Sequence, residues 1–324
     1  MSKQEYKYVF GPVPSRRLGR SLGISPIPSK TCNFSCVYCQ LGRTTNYTNT
    51  RKMFYPVLDI VDEVRRALLE ELDIDVITIV GDGEPTLYKG LGELISELKK
   101  ISQIPIAVIT NGALLCDEEV RKEISKADFV LPTLDAPNKE LFKKINRPRK
   151  ELDLDKITEG MIKFRKIFSG QLWLELMLVK DLNDDVNTLK DLKTIFEKIQ
   201  PDKIFINVPI RPPAEKWVRI PTTEKLQQAL TILNAESIAH YEELLIENID
   251  KNSTPEKIIL EITQRHPLRD DQIFTLFPNV SKKEIAHLLL QMEKKEQIQR
   301  VEYNNRIFWQ IKKRKIRNNE KIRN

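Results

Sequence analysis

Cys32-Asn33-Phe34-Ser35-Cys36-Val37-Tyr38-Cys39 places three thiols in one short run. Three thiolates can serve three irons of a cubane iron–sulfur cluster. A cluster held wholly by protein ordinarily needs a fourth cysteine, so one iron is left open to another ligand. Zinc would want four ligands, and the only other cysteine is Cys116, far along the chain. Cys116, in Leu114-Leu115-Cys116-Asp117, reads as a small buried apolar filler. Histidines occur only at 240, 266 and 287, which excludes a histidine-based zinc site or a Ser-His triad in the first 239 residues.

Several polar residues follow apolar runs. Gly81-Asp82-Gly83-Glu84-Pro85-Thr86 comes directly after Val76–Val80. Glycine lets a backbone approach a ligand closely, and a carboxylate accepts hydrogen bonds from an ammonium group. Thr110-Asn111-Gly112 closes the run Ile106–Thr110, while Asp135 and Asn207 end later runs, as ligands or as turn formers. Glu175 lies inside Leu172-Trp173-Leu174-Glu175-Leu176-Met177. Unpaired in a barrel it would be costly, so it either binds polar groups of a ligand or faces outward in a salt bridge. Phe10–Gly19 is rich in Gly and Pro and carries Arg16 and Arg17. That loop either presents two cations to an anionic substrate or plugs an open barrel edge.

The elements that must position these residues alternate. The β-prone runs Leu22–Ile27, Val76–Val80, Ile106–Thr110, Phe129–Leu134, Leu172–Val179 and Ile204–Val208 are separated by amphipathic helical patterns such as Val57–Leu72. Such alternation predicts βαβ units around a parallel sheet. The fold expected is α/β, a partial (β/α)6 TIM-like barrel over residues 1–221, with its site at the C-terminal ends of the strands. Thr222–Ile249 reads as one connecting helix, within 222–250. Residues 251–311 read as a winged-helix domain of three helices and a hairpin about Asn304-Asn305, before a basic disordered tail, 312–324.

Net charge is +7, and residues 251–324 hold 17 Lys and Arg against 9 Asp and Glu. Lys282, Lys283, Lys294, Lys295, Arg300 and Arg306 make RNA a possible partner of that end. No run approaches the roughly 18 apolar residues of a membrane span, and MSKQEYKYVF lacks a signal core, so a cytoplasmic protein without a membrane partner is expected.

The cysteine run and the Gly83-Glu84-Pro85 motif resemble the radical S-adenosylmethionine (SAM) superfamily. Gly83-Glu84-Pro85-Thr86-Leu87-Tyr88 and Leu134-Asp135-Ala136-Pro137-Asn138 resemble an Fe–S oxidoreductase branch related to the archaeal tRNA wyosine synthase, over roughly residues 10–215. Wyosine synthases carry a further cysteine set that this chain lacks. The resemblance implies a [4Fe–4S] cluster on Cys32, Cys36 and Cys39, with S-adenosyl-L-methionine on the open iron. It also implies reductive cleavage to a 5′-deoxyadenosyl radical that abstracts hydrogen, and an electron donor such as ferredoxin or flavodoxin. Tyr38, Gly83, Glu84, Pro85, Asn111, Asp135, Glu175 and Asn207 are the expected cofactor-binding positions. RNA or tRNA, a protein or peptide, and a small molecule stand as substrate classes.

Overall fold

Strand and helix alternate along the residues that the computed structural model describes, 6–70, 72–238 and 254–312. The chain divides into two compact units, Met1–Asn248 and Ile249–Asn324. In the first, β1 (Val9–Ser15), β2 (Gly19–Ile24), β3 (Thr31–Cys32) and β4 (Asn46–Tyr47) precede α1 (Val57–Leu68) and β5 (Val76–Ile79). There follow α2 (Leu91–Ile101), β6 (Ile106–Thr110), α3 (Glu118–Ile124), β7 (Phe129–Pro132), α4 (Lys139–Ile145) and α5 (Leu154–Ile167). The unit continues with β8 (Gln171–Met177), α6 (Val186–Ile199), β9 (Lys203–Asn207), α7 (Thr223–Leu233) and β10 (Glu236–Ser237).

Eight strands form one sheet in the order β1-β2-β5-β6-β7-β8-β9-β10. Only β1 runs antiparallel to its neighbour; every other pairing is parallel. Successive side chains point to opposite faces of a strand. On the outer face Leu22, Ile77, Val108, Leu174 and Ile206 pack in one core with helix residues such as Ile60, Leu94, Phe164 and Phe196. On the inner face Leu18, Val76, Ala107 and Leu131 form a separate apolar floor with Phe129 and Trp173. Side-chain caps from Asp117, Asn138, Asp153, Asp185 and Thr222 fix the helix starts, each accepting from a backbone N–H of the first turn.

Two sequence expectations change. The Gly/Pro-rich segment is a strand, β1, because an edge strand tolerates proline where a central one does not. The single helix expected over Thr222–Ile249 ends at Leu233, where Asn234 takes a left-handed conformation (φ 50°, ψ 51°). Glu236 and Ser237 then pair in parallel with Phe205 and Ile206. The rest of that expected helix, from residue 239, lies outside the described residues, as does the expected tail beyond Lys312.

The second unit holds α8 (Pro255–Arg265), β11 (Leu268–Arg269), α9 (Asp270–Leu276), α10 (Lys282–Lys294), β12 (Ile298–Tyr303) and β13 (Arg306–Ile311). Its sheet order is β11-β13-β12. Asn304 (φ 50°) and Asn305 (φ 57°) turn the β12–β13 hairpin, as a two-residue connection with positive φ at both positions requires. Among the described residues no helix is long and apolar enough to cross a membrane.

Candidate metal centre

Cys32, Cys36 and Cys39 line a cavity of about 190 Å³ together with Gly83, Glu84 and Asn111. Their loop is held by its own backbone. Ser35 N donates to Asn146 O (3.0 Å), Val37 N to Ile145 O (2.9 Å), and Arg149 N to Asn33 O (3.0 Å). From the other side Glu215 N donates to Val37 O (3.0 Å), and the Val37 side chain is buried with Ile145, Val179, Leu182 and Val218. Two strap segments, 145–149 and 215–218, therefore set the cysteine positions.

Donors reach the sulfurs directly. Phe34 N and Asn111 Nδ2 lie 3.4 and 3.6 Å from Cys32 Sγ, and Asn146 Nδ2 lies 3.7 Å from Cys36 Sγ. Burial, helped by the nearby Glu84 charge, pushes the Cys32 thiol up to about 12, and burial pushes Cys36 well above its ordinary value. Thiolates so desolvated need a cationic partner, which an iron centre supplies. Among the described residues no three His, Cys, Asp or Glu side chains converge on one ion-sized point. Cys116 is exposed rather than buried, its thiol donating to Ala113 O at 3.3 Å, so it is not the apolar filler expected.

The loop after β5 lies against the cysteine strand. Lys30 N donates to Asp82 O (2.5 Å) and Glu84 N to Thr31 O (2.9 Å). A Cβ on Gly83 would stand 1.9 Å from Thr31 O, so only glycine admits this approach. Glu84 is buried, 1% exposed. Its carboxylate accepts from Thr86 N (3.0 Å), Thr86 Oγ1 (2.5 Å), Thr110 Oγ1 (2.6 Å) and Asn111 N (2.7 Å). Burial raises its pKa against those four bonds. The side chain thus fastens the β5 and β6 loops together, while Pro85 opens a single turn of 3-10 helix, Pro85–Leu87.

Asn111 follows from that clamp. Its Nδ2 donates to Asn33 Oδ1 (2.7 Å) as well as to Cys32 Sγ, and its Oδ1 accepts from Ala113 N (2.9 Å). Gly112 provides the left-handed turn (φ 75°) behind it. Beside Cys36, Asp135 accepts from Tyr38 OH (2.6 Å), Asn146 Nδ2 (2.6 Å) and Met177 N (2.8 Å). Burial raises the Asp135 pKa to about 6 in spite of these donors. Asn183 Nδ2 holds the Asp135 carbonyl at 2.9 Å. Asn33, Asn146 and Asn183 escape sequence reading because a loop asparagine is ordinarily a turn former.

Glu175 and Asn207 lie apart from this group, on the inner face shared with Trp173. Glu175 pairs with Arg17 and accepts from Asn207 Nδ2 (3.1 Å), so it both faces inward and makes a salt bridge. Asn207 Oδ1 accepts from Arg16 Nη1 (3.0 Å). Arg16 Nη1 also reaches Ile238 O (3.1 Å), crossing from the β1–β2 turn to the far edge of the sheet.

Residues 27–192 match the sequence profile of the Radical SAM superfamily. The chain belongs to the radical SAM superfamily. Radical SAM enzymes use a [4Fe–4S] cluster and S-adenosylmethionine and need an electron donor, and this chain is an enzyme of that class. The radical SAM chain is 38% identical over 308 residues to a UPF0026 protein of Methanocaldococcus jannaschii, covering 93% of this chain and 94% of that one. It is 46% identical over 228 residues to a Brachyspira hyodysenteriae protein named GTPase Obg, covering 70% of this chain but only 34% of that relative's length. In fold it is similar to the structure titled native anSMEcpe with bound AdoMet (TM-score 0.51, 20% identity, 66% of this chain and 59% of that one).

Proposed function

We propose that Cys32, Cys36 and Cys39 each ligate one iron of a single [4Fe–4S] cluster, with S-adenosylmethionine on the fourth iron. The observation that carries this reading is the meeting of all three thiols, Gly83 and Asn111 around one cavity. Held by these thiols and reduced, such a cluster would supply the electron for cleavage of S-adenosylmethionine to methionine and a 5′-deoxyadenosyl radical, the chemistry by which hydrogen would be abstracted from a substrate. The protein's part is to position and shield. The 145–149 and 215–218 straps hold the thiols, Gly83 brings the β5 loop close, and Glu84 keeps Asn111 against Cys32. Tyr38, Asp135 and Asn146 form one buried network that fixes the loop beside Cys36.

Ferredoxin or flavodoxin of the cytoplasm is the proposed electron source. The substrate proposed is RNA, presented by a winged-helix C-terminal unit. The support is the local basic excess and the exposed Lys282, Lys283 and Lys294 on α10. Lys295 and Arg300 contribute less, since they pair with Glu256 (3.6 Å) and Glu293 (2.9 Å). RNA binding by the full chain should weaken steeply with salt, and changing these three lysines to serine should flatten that slope. Binding indifferent to both salt and lysines would reject the RNA reading and favour a peptide or small-molecule substrate.

A further inference from the structure

The β1–β2 turn sends two cations into the barrel, and one carboxylate meets them. Arg17 pairs with Glu175, and the pair is buried, with side-chain exposures of 12% and 11%. Arg17 Nε is buried without a hydrogen-bond partner. Among the described residues Arg16 has no carboxylate partner and is held through Nη1 alone, by Asn207 Oδ1 and Ile238 O. Burial lowers the pKa of both guanidinium groups, that of Arg17 to about 9 with the Arg16 charge adding to the effect. The layer therefore carries one positive charge in excess, in a place where unpaired charge is costly. Glu175 is joined by a backbone β-bridge to Thr133, which lines the cavity.

We infer that Arg16 and Arg17 form an oxyanion-recognition point in the barrel lumen, with Arg16 contacting a carboxylate or phosphate group of the substrate. A planar guanidinium held at one nitrogen still offers its remaining edge for bidentate contact with such a group. Glu175 and Asn207 are positioning residues, Glu175 for Arg17 and Asn207 for Arg16. Arg17 and Glu175 are largely removed from water, which strengthens the contact. This inference rests on the radical SAM reading, because it assigns the substrate side of the same barrel.

The test is thermal unfolding of the full chain at constant ionic strength, with sodium acetate, inorganic phosphate or chloride. Acetate or phosphate is expected to raise the midpoint above that in chloride, and the effective anion shows whether a carboxylate or a phosphoryl group is recognised. In Arg16→Gln the apparent anion affinity should fall roughly tenfold or more. Arg16→Lys, which keeps the charge and loses the fork, should fall between the two and serves should the glutamine variant not fold. Equal midpoints in all three salts for the wild type, or an undiminished anion effect in either variant, would overturn the assignment. The radical reading has its own readout, 5′-deoxyadenosine release by the wild type, so failure of one is distinguishable from failure of the other.

Discussion

Gly83 touches Thr31 so closely that a methyl group in place of its hydrogen would stand 1.9 Å from the Thr31 carbonyl oxygen. Thr31 directly precedes Cys32, so any shift there moves the first thiol. Gly83→Ala should lower cluster incorporation roughly tenfold or more, the scale on which supporting residues act at metal sites. Iron and sulfide content after anaerobic reconstitution measures this, with circular dichroism showing that the variant is folded. Normal cluster content in Gly83→Ala would mean that the close approach is not needed.

Glu84 is an acceptor for four donors on two loops. Glu84→Gln turns one acceptor oxygen into a donor facing other donors, at a cost of about 2 kcal/mol. Glu84→Ala leaves all four unpaired and should cost more. Urea unfolding of the apoprotein gives both numbers, and a neutral Glu84→Ala would refute the clamp.

The barrel was legible in the sequence where periodicity was strong. The runs Val76–Val80 and Ile106–Thr110 became β5 and β6 with ends within a residue of expectation, since each is apolar on both faces and bounded by turn residues. β1 was hidden because its prolines argue against a strand, and the early end of α7 because Asn234 alone marks it. At the site the thiols and the glycine motif stand out by residue type. What Glu84 does is decided by Thr86 and Thr110, and no local pattern reveals hydroxyls that meet only after folding. Likewise Arg17 and Glu175 are partners across 158 positions, a contact that exists only once the chain has folded.

Asp135 gives a pH dependence of defined sign. Its pKa rises from an unfolded value near 4 to about 6 on folding, so the folded state binds the extra proton. This group favours folding most below about pH 4, and that contribution is lost as pH rises to about 6. Across that window the apoprotein should lose about 3 kcal/mol relative to Asp135→Asn. Urea unfolding of both proteins at several pH values tests this, and a constant difference would show that Asp135 does not titrate there.

The central claim is that Cys32, Cys36 and Cys39 hold the cluster at which S-adenosylmethionine is cleaved. The direct measurement is chromatography for 5′-deoxyadenosine after anaerobic reconstitution with iron and sulfide and reduction by dithionite in the presence of S-adenosylmethionine. The wild type should release it, and Cys32→Ala, Cys36→Ala and Cys39→Ala should not, while Cys116→Ala should match the wild type. A cluster-loaded wild type that neither binds S-adenosylmethionine nor releases 5′-deoxyadenosine, or a cysteine variant of the triad that still releases it, would contradict the account.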